Sequence, residues 1–525
     1  MNKLYPIFIF ILLFSAVSSA QSLVEDSLAL VAIYENCDGV NWNNSDNWLD
    51  EPIADWEGIK VENDRVTELK LVVKGLQHSM PDNIYGLTAL KLLEFRESGC
   101  DWTIDNRIQQ FDVIEDLFLN SSSATINDMT LLCAMGSLKR IIFNGLQGNI
   151  DLPDCITEMP LTRFSLSDVD FTGTTIPSSI GNFENMQIMS LRNLGLSGEI
   201  PLEVCNIETL ASFNLSDNDL SGSLPACFLS ESTIQVNLVN CGLTGDFPFE
   251  SFGPSLGITN INGNNFTGDI GLIPETPGAY VLNFSGNQFT GELDANIFNK
   301  DWLLRVLLDD NNISGLSNWS GFGDRMAKLD VSGNRLDFDD LEQVDFESDV
   351  EFIYAPQQAL SNDTTFILEP GEDISLSCEA GGMNTTYQWY KNGLEIDGAT
   401  DPSLELTNLQ VTDIGDYSCA AQNVDFPELT LNSAVSSLSI ISSTNNPSYI
   451  QLYAYPNPTS NSIEVQLPSP VEHVRLINSL GKTIGAEISQ LEGKLEIDLS
   501  RQVSGLYYII AHSEFGVYRA KLIKK

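Results

Sequence analysis

Basic residues are scarce in this 525-residue chain, where 26 Lys and Arg stand against 72 Asp and Glu for a formal charge of −46. A surface of that sign repels phosphate backbones and anionic bilayers, which argues against nucleic acid and membrane headgroups as partners. A soluble exterior suited to salty surroundings is the plain reading, and divalent cations or basic ligands are the sharper one. Histidine is scarcer still, with only His78, His473 and His512. No His pair stands at ligand spacing in the sequence, so catalytic zinc is unsupported and neither a metal nor a cofactor is expected. Long apolar runs are missing after residue 20, where no window approaches the ~18 unbroken apolar residues of a membrane-crossing helix.

Catalytic signatures are also wanting. The stretch "GPSLG" at 253–257 satisfies G-x-S-x-G. A nucleophile elbow must follow a strand and open a helix with a His as base, whereas this stretch precedes a strand and no histidine is near. "GKT" at 481–483 has Leu476 where a phosphate loop needs its first glycine. No calcium loop of the D-x-[DN]-x-[DN]-G type occurs. Neighbouring carboxylates such as Asp309 and Asp310, or Asp337, Asp339 and Asp340, read as solvated surface in so acidic a chain. No catalytic residue is assigned, and the chain is read as not an enzyme.

What is present begins at the ends. Residues 1–20 hold Lys3, the apolar run "YPIFIFILLFSAV" and a small-residue exit at "SSA". That is the pattern of a secretory signal peptide, so an exported protein is expected after its removal. From Tyr449 onward 8 Lys and Arg meet 7 Asp and Glu, which leaves a net −47 on the preceding body. The tail is therefore chemically unlike the rest.

Between these ends the sequence repeats itself. Aligned on the second apolar residue of "L-x-x-L-x-L", Leu71, Phe95, Leu119, Phe143, Leu166, Leu191, Leu215, Leu238, Ile261, Phe284, Leu308 and Val331 recur every 23 to 25 residues. Three residues later the better units carry Asn218, Asn264, Asn287, Asn311 or Asn334, and Cys241 takes that slot in "LVNCGLTG". Period-two apolar residues form a short strand with one face inward, and the Asn amide bonds the backbone of neighbouring coils. No coil buries a core alone, so the coils stack with a parallel sheet on the inner curve.

The units "LRNLGLSGEIP", "LSDNDLSGSLP" and "IPSSIGNF" resemble plant-type leucine-rich repeats. "DSLALVAIYENCDGVNWNNSDNWL" and "WEGIKV" resemble that family's N-terminal cap, with Trp42, Trp48 and Trp56 over the first coil and Cys37 unpartnered where the family usually carries a cysteine pair. "FIYAPQQ" at 352–358 is similar to the closing strand of bacterial members. Downstream, Cys378, Trp389 and Cys419 have the spacing of an immunoglobulin-like sandwich, with Tyr417 in the tyrosine-corner position. The tail, with Tyr455, Pro456, Asn457, Pro458, Gly505, Tyr507, Lys521, Lys524 and Lys525, resembles the type IX secretion sorting domain of Bacteroidetes, with Asn461 where Gly is commoner. That resemblance implies passage to the outer-membrane surface or release from it, with the secretion machinery as a partner.

The expected fold is mainly β with short helical or 3-10 segments, a solenoid of about 12 coils followed by two small β-sandwich domains. Its parts are a signal peptide at 1–20, a cap at 21–64, the solenoid at 65–358, an immunoglobulin-like domain at 359–440, a linker at 441–448 and the sorting domain at 449–525. A bridge between Cys378 and Cys419 follows from the sandwich spacing. Cys133 with Cys155, and Cys205 with Cys227, lie at matching offsets in adjacent coils and are candidate cross-coil bridges. Cys100 and Cys241 read as buried thiols, and Cys37 is unassigned.

Binding is then sought on the inner sheet, whose outward residues run from Lys70 and Glu94 to Leu307 and Asp330. At ~4.8 Å per strand this face extends about 55 Å, long enough for a peptide or glycan. Phe118 and Ile142 form an apolar spot with Arg140, Arg163 and Arg192 nearby, and Ser190, Asn214, Asn237, Asn260 and Asn283 form a neutral, amide-rich row. Arg163 and Arg192 are singled out as isolated cations in an acidic field. Three functions stay open: a non-catalytic recognition or adhesion protein for a protein or polysaccharide, an inhibitor of a foreign hydrolase, and a degradative hydrolase.

Overall fold

The computed structural model describes residues 22–525 apart from 43–44, 73–77, 97–99, 121–123, 149–150, 172, 230–231, 277, 347–349, 441–451, 453, 468–470, 472, 492 and 514–515. The signal peptide at 1–20 and the linker at 441–448 lie outside the described residues. The chain forms two compact units: Met1–Gly268 with Leu272–Gln288 and Ile297–Val306, and Asp269–Gly271 with Phe289–Asn296 and Leu307–Lys525. Both are mainly β with short helical segments, as expected.

The first unit opens with the helix Leu23–Asn36. Ser22 and Glu25 close its start as a reciprocal capping box. The helix buries Ala29, Leu30 and Ile33 together with Asp26, which is 0% exposed. Asp26 accepts from Arg65 Nε at 2.9 Å and from Val66 N at 2.8 Å, so its buried charge is paired and hydrogen-bonded. Tyr34, Trp42, Trp48 and Trp56 pack ring on ring, with centroids 4.8 Å apart for Trp48 and Trp56. Each indole N–H donates to a carbonyl, from Trp42 to Cys37, Trp48 to Glu57 and Trp56 to Glu51. The cap thus seals the first coil without leaving a buried donor idle.

Strand Ile59–Glu62 runs antiparallel to Arg65–Val72, and from there the strands are parallel. Register is kept from coil to coil, so Leu69, Leu93, Leu117, Ile141, Phe164, Met189, Phe213, Val236, Thr259 and Leu282 share one inward column. All are buried. Short 3-10 helices such as Ser178–Asn182 and Leu202–Asn206 return the chain between strands. Behind them, Asn218 Oδ1 accepts from Leu194 N and Leu196 N at 3.1 Å, and its Nδ2 donates to Leu191 O and Leu215 O at 2.7 Å. Asn264 repeats this pattern two coils on. Cys241 fills the intervening slot with a buried, unpaired thiol that donates to Leu215 O at 3.3 Å. Burial pushes that thiol up to about 12.

Disulfides join Cys133 to Cys155 and Cys205 to Cys227 in this unit. Cys100 departs from expectation. It is not a thiol but is bonded to Cys37, because Cys37 at the end of the capping helix is brought beside the strand Cys100–Ile104. Two cysteines 63 residues apart therefore tie the cap to a later coil.

In the second unit Lys328–Asp330 and Glu351–Ile353 are parallel neighbours. Asn311 and Asn334 continue the amide pattern, and Asn334 Oδ1 accepts from Ile313 N at 3.0 Å. Gln357 ends it, donating to Val331 O at 2.9 Å and accepting from Leu336 N at 3.2 Å. The carboxylates read as solvated surface at Asp337 and Asp340 are instead half-buried. They close the start of the short helix Phe338–Leu341 as a capping box. Burial raises both, Asp340 to about 7. The next domain packs strands Thr364–Leu368, Ser436–Ile440, Gly415–Asn423, Thr385–Lys391 and Leu394–Glu395 against the pair Ile374–Ser377 and Ser403–Leu406. Cys378 bonds Cys419 beside the buried Trp389. Tyr417 Oη donates to Asp413 O at 2.7 Å, completing the tyrosine corner. The last domain pairs one sheet containing Ser462–Gln466, Lys494–Asp498 and Glu487–Leu491 with another of His473–Asn478, Gly505–Ser513 and Gly516–Lys524. Val465, Leu476, Ile497, Ile509 and Leu522 form its core.

Candidate recognition face

The register that buries one column of each strand exposes the residues on either side of it. In the first unit this places Phe118 and Ile142 directly side by side, and likewise Ser190, Asn214, Asn237, Asn260 and Asn283 in one row. All are partly exposed, whereas Ser165 between them is covered at 9% exposure.

The cations on this face are not equivalent. Arg140 forks onto both oxygens of Asp116, which holds its guanidinium above its usual range, and its Cζ lies 5.5 Å from the Phe118 ring centroid. Arg192 is not the isolated cation expected from the sequence, since its Nε meets Asp217 Oδ2 at 3.1 Å. The reason is the coil period, which sets the turn of one repeat beside the strand end of the last. Arg163 differs. Its Nε donates to Ser165 Oγ at 3.4 Å, and among the described residues no carboxylate lies within ion-pairing distance of it.

The amide row is partly satisfied from within. Asn260 Nδ2 donates to Asn237 Oδ1 at 2.6 Å, while Asn214 Oδ1 and Asn283 Oδ1 accept from Ser216 N and Ser285 N. Among the described residues, the Nδ2 groups of Asn214, Asn237 and Asn283 and the Oδ1 of Asn260 have no protein partner. What the row offers outward is donor-rich, regularly spaced and uncharged, which suits carbonyl and hydroxyl oxygens.

The G-x-S-x-G stretch does not form a nucleophile elbow. Ser255 lies in an exposed turn before strand Ile258–Asn260, with no helix after it. Among the described residues no group of three or more His, Cys, Asp or Glu stands together as a metal cluster. The sequence shows no His pair at ligand spacing, yet the fold makes one, since His473 and His512 are cross-strand partners. No helix among the described residues is long and apolar enough to cross a membrane.

Comparison with known proteins agrees with these modules. Residues 356–423 match the immunoglobulin domain model, and residues 453–525 match the secretion system C-terminal sorting domain model. Receptor-like protein 41 of Arabidopsis thaliana is 25% identical over 149 residues, covering 23% of this chain and 17% of that protein's length. The Arabidopsis receptor kinase HAESA ectodomain, solved with a N-terminal extended IDA peptide hormone ligand, is 18% identical over 66% of this chain and 62% of that one, with a TM-score of 0.49. The plant peptide hormone receptor RGFR1, solved with RGF2, is 21% identical over 55% and 50%, with a TM-score of 0.44. A sorting domain of this kind marks a chain for export. The chain carries an immunoglobulin domain and a C-terminal secretion sorting domain, and the repeats before them stack as a parallel-stranded solenoid.

Proposed function

We propose that this is a secreted or cell-surface recognition protein whose leucine-rich repeat face binds an extended protein or glycan partner without catalysing a reaction. The observation that carries the reading is the exposed row itself. It presents amide donors at Asn214, Asn237 and Asn283 that have no protein partner among the described residues, beside Arg163, which no described carboxylate pairs, and the apolar pair Phe118 and Ile142. Such a row gives a chain-like ligand repeated hydrogen bonds, while the arginine and the apolar pair fix its register. The sorting domain supports a place outside the cell, with the secretion machinery as the partner of the tail. The immunoglobulin domain acts as a spacer or second contact.

The test uses the exported chain on glycan and peptide arrays, followed by binding measurements with the Arg163→Ser and Asn237→Ala/Asn283→Ala variants. Saturable binding weakened at least about tenfold, some 1.4 kcal/mol, by either variant supports the reading. Full affinity in both variants for every ligand found on the arrays overturns the assignment of this face. Turnover of an arrayed polymer by the wild-type chain overturns the non-catalytic part.

A further inference from the structure

Two of the chain's three histidines meet in the last domain. His473 and His512 are direct partners in the antiparallel register of His473–Asn478 and Gly505–Ser513. Their neighbours fix the face they occupy. Ala511 and Leu476 point into the core at 0% and 1% exposure, so strand alternation sends His512 and His473 to the opposite, solvent side. Both histidines are exposed.

Side chains directly opposed in an antiparallel sheet have Cβ atoms about 4.5–5.5 Å apart. From that separation two imidazoles reach one ion with metal–nitrogen bonds of about 2.0–2.1 Å. The paired strands fix both backbone positions before an ion arrives, so the second nitrogen joins as a chelate rather than as an independent ligand. Imidazole selects zinc, copper and nickel, whereas calcium and magnesium require oxygen donors. On the same face, Arg475 stands two residues beyond His473, and Arg519 pairs with Ile510 in the adjoining register. Arg519 is drawn toward Glu369, 3.9 Å away, and lies over the Tyr508 ring at 4.3 Å, which leaves Arg475 as the like charge nearest the pair in register.

We infer that His473 and His512 form a two-imidazole site for a divalent transition metal, Cu2+, Ni2+ or Zn2+, with water completing the coordination. It lies on the sorting domain, apart from the recognition face, and does not depend on what that face binds.

The test titrates untagged full-length chain with each of the three metals, and with Ca2+ and Mg2+ as oxygen-seeking controls. A single equivalent of Cu2+ with nitrogen hyperfine structure in its electron paramagnetic resonance spectrum is expected. His473→Ala and His512→Ala should each lose it, and His78→Ala should keep it. Both substitutions fall at exposed positions, and unchanged far-ultraviolet circular dichroism checks that the fold survives. Equal retention of the metal in either single variant overturns the inference. So does a Cu2+ spectrum without nitrogen coupling or displacement of Cu2+ by Ca2+, each of which assigns the ion to surface carboxylates. Absence of any transition-metal binding by the wild-type chain overturns it outright.

Discussion

Asn264 tests whether the fold rests on its buried amide column. Its Oδ1 accepts from the N–H groups of Cys241 and Leu243 at 3.1 Å, and its Nδ2 donates to the carbonyls of Leu238 at 2.5 Å and Ile261 at 2.9 Å. At 6% exposure, water has no ready route to replace these bonds. Asn264→Ala removes all of them and leaves the backbone groups buried. At about 1 kcal/mol per neutral hydrogen bond, with orphaned buried groups costing about 1–3 kcal/mol each, the loss comes to about 4 kcal/mol. Asn264→Cys copies the residue at 241, whose thiol still donates to a carbonyl, and should recover about half of that loss. Asn260→Ala, on the exposed face of the same coil, should stay within about 0.5 kcal/mol of the wild type. Urea unfolding followed by tryptophan fluorescence ranks the three, and amide hydrogen exchange at Cys241 and Leu243 reports the local effect. A cost below about 1 kcal/mol for Asn264→Ala, or an equal cost for Asn260→Ala, refutes the reasoning.

Three further outcomes are expected. Thr259 lies in the inward column at 0% exposure, and its hydroxyl has no hydrogen-bond partner among the described residues; Thr259→Val should therefore raise stability by about 1 kcal/mol in the same urea assay, and any loss counts against it. Cys37→Ser opens a loop of 63 residues and should cost about 4 kcal/mol by loop entropy, with calorimetry recording a lowered Tm. Asp340 is pushed by burial to about 7 from 3.8, so the folded chain keeps a proton that the unfolded chain gives up. Stability from this site is thus full below about pH 4 and falls as pH rises through about 7. Asp340→Asn keeps the capping acceptor, so the drop in Tm between pH 5 and pH 8 should shrink, and an unchanged drop refutes the assignment.

Much of this was legible because it is encoded locally. The coil period needs only adjacent repeats, and the slot three residues after each anchor identified Asn218, Asn264 and Cys241 before any geometry was known. The spacing of Cys378, Trp389 and Cys419 is likewise short-range. Gln357 carried the same signal, three residues after Tyr354 in the last coil, but its longer side chain hid it. Three other misses needed contacts across coils or strands. Cys100 fits an inward apolar slot at 1% exposure, and only the placement of the capping helix brings Cys37 to it. Arg192 looks alone until the period sets Asp217 beside it, and His473 and His512 become neighbours only through strand register.

The same register separates the protein's two tasks. In each strand of the first unit, the inward residue and the ladder side chain are committed to folding, while the outward residues are held by few bonds of their own. Asn264 has all its polar atoms engaged within the fold, whereas Asn237, on an exposed row one coil earlier, uses only its Oδ1, toward Asn260. Changes on the outward row therefore alter what the face presents at little cost to stability, and a single scaffold supports many row chemistries. Under the proposed function, Phe118, Ile142, Arg163 and the amides from Asn214 to Asn283 would select the partner, and stability rests on other residues. A scan in which outward substitutions unfolded the chain as readily as ladder substitutions would remove that separation, and with it the reason for reading the face as a binding surface.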